Sequence, residues 1–186
     1  MMLKFLTCLI QLIISPAKGW EDIAAVGEEP RKICSDGFYP LLGVTACSVF
    51  LRRLYDSELG LVSMIQEAII MFVEYFVTYF LASFLFSIFL GKVVEGEPNE
   101  KKYHTFAIYN ISLLALISII SNCLPTELSI VQFLPLFTIV VMWMGKRYLA
   151  VREEKSFTFI FLSSLAILVM PSLLGFLFNM VIPNAN

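Results

Sequence analysis

The chain of 186 residues is 59% hydrophobic and only 15% charged, against about 45–50% and about 25% in soluble globular proteins. A water-soluble domain of this size leaves too much surface wet to hide that apolar excess, which excludes a soluble enzyme and a disordered chain. The formal charge of −2, from 13 basic and 15 acidic side chains, supplies no basic field for nucleic acid.

Residues 1–14 carry Lys4 within an apolar stretch, and Lys4, Thr7 or Cys8, Gln11, Ser15 and Lys18 recur every three to four residues. That spacing makes one narrow polar stripe on a helix and predicts an amphipathic helix lying in the membrane interface, stripe toward water. A cleaved signal and a sixth span are the alternatives. Against the signal, Ser15-Pro16-Ala17-Lys18 offers no small-x-small cleavage site.

Five apolar runs follow, and a bilayer core of ~30 Å needs about 20 residues of helix. They predict spans at 38–54, 65–90, 103–124, 128–145 and 157–182. The first is at the lower limit of length and crosses only if Arg52 and Arg53 snorkel. Pro125 and Pro183 stop the third and fifth, Lys146 and Arg147 close the fourth, and Pro135 and Pro171 are candidate kinks. The runs are too long and too continuous for barrel strands. The expected fold is all-α: a polytopic membrane helix bundle of five transmembrane helices plus the N-terminal interfacial helix. Residues 1–37 form a cytoplasmic N-terminal segment and 38–186 the bundle.

Orientation follows from charge. With five crossings and a cytoplasmic N-terminus, every basic residue except Arg52 and Arg53 falls on the cytoplasmic side, as the positive-inside rule prefers. The loops 91–102 and 146–156 are then cytoplasmic. Trp20, Tyr39, Tyr55, Tyr103, Trp143 and Tyr148 stand near span ends, as belt anchors do.

Glu74 is the sharpest candidate for chemistry. It lies nine residues inside the second span, where a carboxylate must be protonated, paired or facing a wet cavity. Glu67, Glu74 and Thr78 share a helix face at spacings of seven and four, and Arg52 and Arg53 come from the neighbouring end. The face reads either as an intramembrane proton or cation site, or as a pair that packs the first two spans. Asn110, Asn122, Gln132, Asn179 and several serines read as interhelical hydrogen-bonding groups. Cys8, Cys34, Cys47 and Cys123 form no C-x-x-C pair and read as small buried hydrophobes. The one histidine, His104, removes every site that needs two, and beside Lys101 and Lys102 it reads as an interfacial side chain. With no aspartate inside a span, no Gly-rich phosphate loop and no G-x-S-x-G, the expectation is a protein without enzymatic activity, metal or cofactor.

The segment Ser15-Pro16-Ala17-Lys18-Gly19-Trp20-Glu21-Asp22-Ile23, then a polar stretch and five closely spaced apolar runs, resembles the Yip-domain family. These are small five-span membrane proteins whose eukaryotic members interact with Rab-type GTPases. In the family a proline, an aromatic four residues on and an isoleucine-like position commonly precede the spans; Pro16, Trp20 and Ile23 occupy that pattern. The eukaryotic acidic-Tyr-Gly-Pro motif is replaced by Ser35-Asp36-Gly37-Phe38-Tyr39-Pro40, so the chain looks more similar to the compact bacterial members. The resemblance implies a multi-pass protein of a bacterial cytoplasmic membrane and no catalytic residues. The expected role is a scaffold or partner-binding factor in membrane organisation or trafficking, contacting the lipid bilayer and a cytoplasmic or membrane protein. The alternative is a small transporter, channel or export component using the Glu67–Glu74 face.

Overall fold

A computed structural model describes residues 2–56, 58–125 and 133–182. Those residues form helices and no strand, with one isolated backbone bridge between Val94 and Val151. In chain order we label α1 (Met2–Ile14), α2 (Pro16–Val26), α3 (Pro30–Leu54), α4 (Leu61–Val93), α5 (Glu100–Cys123), α6 (Leu134–Gly145) and α7 (Glu153–Val181). The helices α3, α4, α5 and α7 are each long and apolar enough to cross a membrane. The chain therefore has the architecture of a membrane protein.

The four long helices reproduce the first, second, third and fifth apolar runs. α3 begins at Pro30, well before the apolar run that announced it. Its first turn is set by Pro30, whose missing N–H costs nothing there, after Glu29 in extended geometry. The helix then carries a π turn over Cys34–Phe38 and tightens to a 3₁₀ turn over Val49–Leu54. Its length of 25 residues removes the shortness expected of the first span. The fourth run is different. α6 covers 12 residues, about 18 Å, and the first residues of that run lie outside the described residues, as do Gln132 and Pro183. Pro135 sits in the first turn of α6 and starts the helix rather than kinking it. Pro171 is buried and follows a π turn over Leu165–Val169, so the lost backbone bond falls where the helix is already widened.

Side-chain and backbone bonds show which ends lie together. At one end Glu95 N–H donates to Ala150 O at 2.8 Å and Arg152 N–H to Val93 O at 2.9 Å. Lys101 Nζ meets Glu29 there at 2.7 Å. At the other, Tyr55 OH donates to Cys123 O at 2.6 Å and Asn122 Nδ2 to Ser48 Oγ at 2.8 Å. Successive long helices thus run antiparallel, and α6 returns the chain to the first end. That end carries the loops around residues 28, 96 and 149 and is called here the basic end.

α5 is the centre of the bundle. Residues Thr105 to Ala115 are buried on every side, which is why its apolar run shows no amphipathic period. Tyr75 OH meets Ser118 Oγ at 2.6 Å, joining α4 to α5, as expected of a serine inside a span. Asn110 bonds its own helix at Phe106 O. α7 lies on the outside: Leu173, Phe176, Leu177 and Met180 are exposed, as lipid-facing residues of a bundle are.

Candidate functional site

α1 and α2 meet at a sharp corner on Ser15, whose φ of −148° and ψ of 87° interrupt the helix. α1 buries Phe5, Cys8, Leu9 and Leu12 against the bundle. Lys4 and Thr7 stay exposed, and so do Leu3, Ile10 and Ile14. The helix therefore has three faces, one to the core, one polar and one apolar and outward. The Cys8 thiol belongs to the core face, not to the polar stripe, and burial raises its pKa. Phe5 packs on Gly37 and stacks on Tyr109 at 5.3 Å. Any Cβ at Gly37 would overlap that ring. α2 ends at Gly27, whose φ of 57° suits glycine and whose N–H closes on Ile23 O.

Trp20 is the pivot of this end, and here the structure corrects the belt assignment. Its ring is only 3% exposed. It stacks on Phe106 and on Tyr148, both at 5.2 Å, and meets Tyr109 edge-on at 6.4 Å. Its Nε1–H donates to Val141 O at 2.9 Å. The space exists because residue 145 is glycine: a Cβ there would lie 2.6 Å from Phe106 and 2.9 Å from Trp20. Trp20 thus joins α2 to α5 and α6, where an anchor would have faced the headgroups. Pro16 opens α2, and Gly19, Trp20 and Ile23 form its buried face. Of the three residues of the family-like pattern, Trp20 and Ile23 pack into the core, while Pro16 opens the helix and stays partly exposed.

Two hollows open at this end of the bundle. A groove of about 490 Å³ runs past Trp20 and Glu21 to Lys102, Trp143, Lys146 and Arg147. Lys146 Nζ is held by Glu153 at 2.7 Å and lies 4.5 Å from the Trp143 ring centre. Lys102 Nζ lies 5.5 Å from the centre of Tyr148, whose phenol burial holds above its ordinary pKa. A second cavity of about 670 Å³ is lined by Cys34, Tyr39, Tyr79 and His104, with Glu29 and Lys101 at its rim. His104 is more than an interfacial side chain: its Nδ1 meets Tyr79 OH at 3.0 Å and its Nε2 lies 3.6 Å from Glu100. No spacing rule joins Tyr79 to His104, because the pairing comes from the antiparallel packing of α4 and α5.

At the opposite end, a crevice of about 370 Å³ is lined by Arg52, Ser63, Glu67, Glu74, Gly175 and Asn179. Arg52 pairs with Glu67, as their positions at neighbouring helix ends suggested, and Arg53 is exposed and takes no part. Glu74 faces α7, where its Oε2 would lie 3.2 Å from a Cβ on Gly175. It makes no ion pair among the described residues. Thr78 is fully buried and donates to the Glu74 backbone carbonyl at 2.7 Å, so it belongs to the helix and not to the crevice. Of the four cysteines, Cys8 and Cys34 are buried, but Cys47 is exposed and Cys123 half-exposed. Position along an apolar run does not fix which side of the helix a thiol takes.

No family model matches the chain, and no curated protein and no solved structure matches it either.

Proposed function

We propose that the chain is a Yip-like, five-span membrane protein of a bacterial cytoplasmic membrane, with the N-terminus cytoplasmic and the basic end a docking face for a protein partner. The fifth crossing is α6 together with the residues just before it. The hairpin of α1 and α2 rests in the cytoplasmic interface. The observation that carries this reading is the way the basic end is preassembled. The loops around 96 and 149 are tied to each other by the Val93–Arg152 and Glu95–Ala150 backbone bonds, and the loop around 28 is seated by the buried Trp20, Ile23 and Ile33, with the exposed Lys101–Glu29 pair across it. A surface that needs no ordering on contact binds at lower entropic cost. Its exposed charges are of both signs, Glu21, Glu29, Arg31, Glu95 and Arg152 among them, which suits a protein better than lipid alone.

Two measurements test it. Cysteines placed at positions 98 and 58 should label from opposite sides of the membrane, and labelling from the same side overturns the topology. A photocrosslinker at Ala24 or Asn99 in native membranes should give a discrete adduct that Arg31→Glu with Lys101→Glu abolishes. The same probe at Glu58 should give none.

One observation favours a second reading, a small transporter or channel component. Glu74 makes no ion pair among the described residues and lies in a crevice with Glu67 and Asn179. Purified protein in liposomes that moves a solute, and loses that flux on Glu74→Gln, would put this reading in place of docking.

A further inference from the structure

We infer that the groove between α2 and the turn after α6 binds the phosphate of an anionic membrane lipid, with an acyl chain lying along α6. The groove combines two features that a lipid alone matches. The first is cationic. Lys102 and Arg147 line it and make no ion pair among the described residues. Lys146 adds a third cation, already answered by Glu153 and Ser156. Among the described residues Glu21 is the one carboxylate on the groove's wall. Counting Lys102, Lys146 and Arg147 against Glu21 and Glu153 leaves an excess of positive charge, which favours a net anionic headgroup over a zwitterionic one.

The second feature is apolar. Leu136, Val140, Trp143 and Met144 are all exposed on α6, at spacings of four, three and one. They form one stripe along the helix. It ends at Lys146 and Arg147, beside the groove mouth. A chain on this stripe places its headgroup among the cations, with the Trp143 ring at the junction, where amphipathic rings sit in bilayers. Free phosphate would use only the cations. The Trp20–Tyr148 stack forms the floor, so the site is held rigidly from below. It requires only that the bundle sit in a bilayer, and it stands whether or not a protein docks on the same end.

The chain carries two tryptophans, Trp20 and Trp143, and both line this groove. Intrinsic fluorescence therefore reports its occupant directly. The full chain is reconstituted in phosphatidylcholine vesicles containing either brominated phosphatidylglycerol or brominated phosphatidylcholine at equal mole fraction. The phosphatidylglycerol should quench at least about twofold more strongly, as expected for two cations near the membrane surface. Lys102→Gln with Arg147→Gln should bring the two lipids to parity. Lys92→Gln with Lys155→Gln, which removes equal charge from the same end outside the groove, should leave the preference intact. Glu21→Gln, a gentler change, should increase it. Equal quenching by both lipids in the unaltered protein overturns the site. So does a preference that survives the Lys102 and Arg147 changes, or one that the Lys92 and Lys155 changes abolish. Inorganic phosphate that erases the preference would show a free anion site and overturn the lipid.

Discussion

At the basic end a tryptophan from α2 is wedged among rings of α5 and the α6–α7 turn, and backbone bonds join loops that are distant in sequence. At the opposite end Glu67, Glu74 and Asn179 line a crevice beneath α7, a helix that turns Phe176, Leu177 and Met180 outward. The ring cluster around Trp20 is closed by apolar packing around one polar donor, and the hollows of that end lie outside it. The opposite end keeps polar groups beside space. Packed rings resist change because every displaced atom loses many contacts, whereas a crevice yields at small cost. The contrast is between a ring cluster that holds the shape of the grooves around it and a crevice whose own side chains have room to move.

The largest effect is expected at Trp20. Trp20→Ala removes a ring that is 3% exposed and leaves a cavity next to Gly145, and large-to-small changes of this kind cost about 3–5 kcal/mol. Trp20→Phe keeps a ring and loses the Nε1 donor to Val141, a loss of about 1 kcal/mol. Unfolding titrated with denaturing detergent should show both, in that order. Equal, small effects would mean that the hub is not what holds the basic end.

The middle effect belongs to the crevice. Gly175→Val adds atoms where a Cβ already lies 3.2 Å from Glu74 Oε2, and overpacking of this sort costs about 1–3 kcal/mol. Because the obstacle is the end of a flexible side chain, the lower part of that range is expected. Combining it with Glu74→Ala should recover about 1 kcal/mol of the loss, a coupling read from a double-mutant cycle. Glu74→Gln alone, which keeps shape and hydrogen bonding, should change stability little. Additive losses would place Glu74 elsewhere than against α7.

How much of this was legible beforehand depends on what sets each feature. Uninterrupted apolar length sets α4 and α5, so their runs predicted them within a few residues. α3 starts inside the polar stretch that holds Arg31, Lys32, Ser35 and Asp36, and hydropathy does not register a helix there; Pro30 at a first turn was the available signal. The Arg52–Glu67 pair was legible because both residues sit near the turn between α3 and α4. Trp20 was misread because a tryptophan amid charges near a span end has the sequence signature of a belt residue. What buries it is Gly145, 125 positions along the chain, and no local pattern encodes such a pairing. The same holds for Tyr79 and His104.

The smallest effect is the most instructive about the docking face. Lys101 and Glu29 meet at 2.7 Å across the mouth of the larger cavity, with their side chains 40% and 71% exposed. An ion pair so wet gains little over its hydrated partners, and exposed pairs contribute about 0.2–1 kcal/mol. The turn it spans is already fixed from below by Ile23, Ile33 and Trp20, all buried. Lys101→Ala should therefore cost no more than about 0.5 kcal/mol, and raising the salt concentration should reduce even that, since the pair is open to screening. The same double-mutant cycle with Glu29→Ala reads the coupling. A coupling well above about 1 kcal/mol would show that the loops at the basic end are held by this pair rather than by the rings beneath them, and the end would then be a surface ordered by charge, not one preassembled by packing.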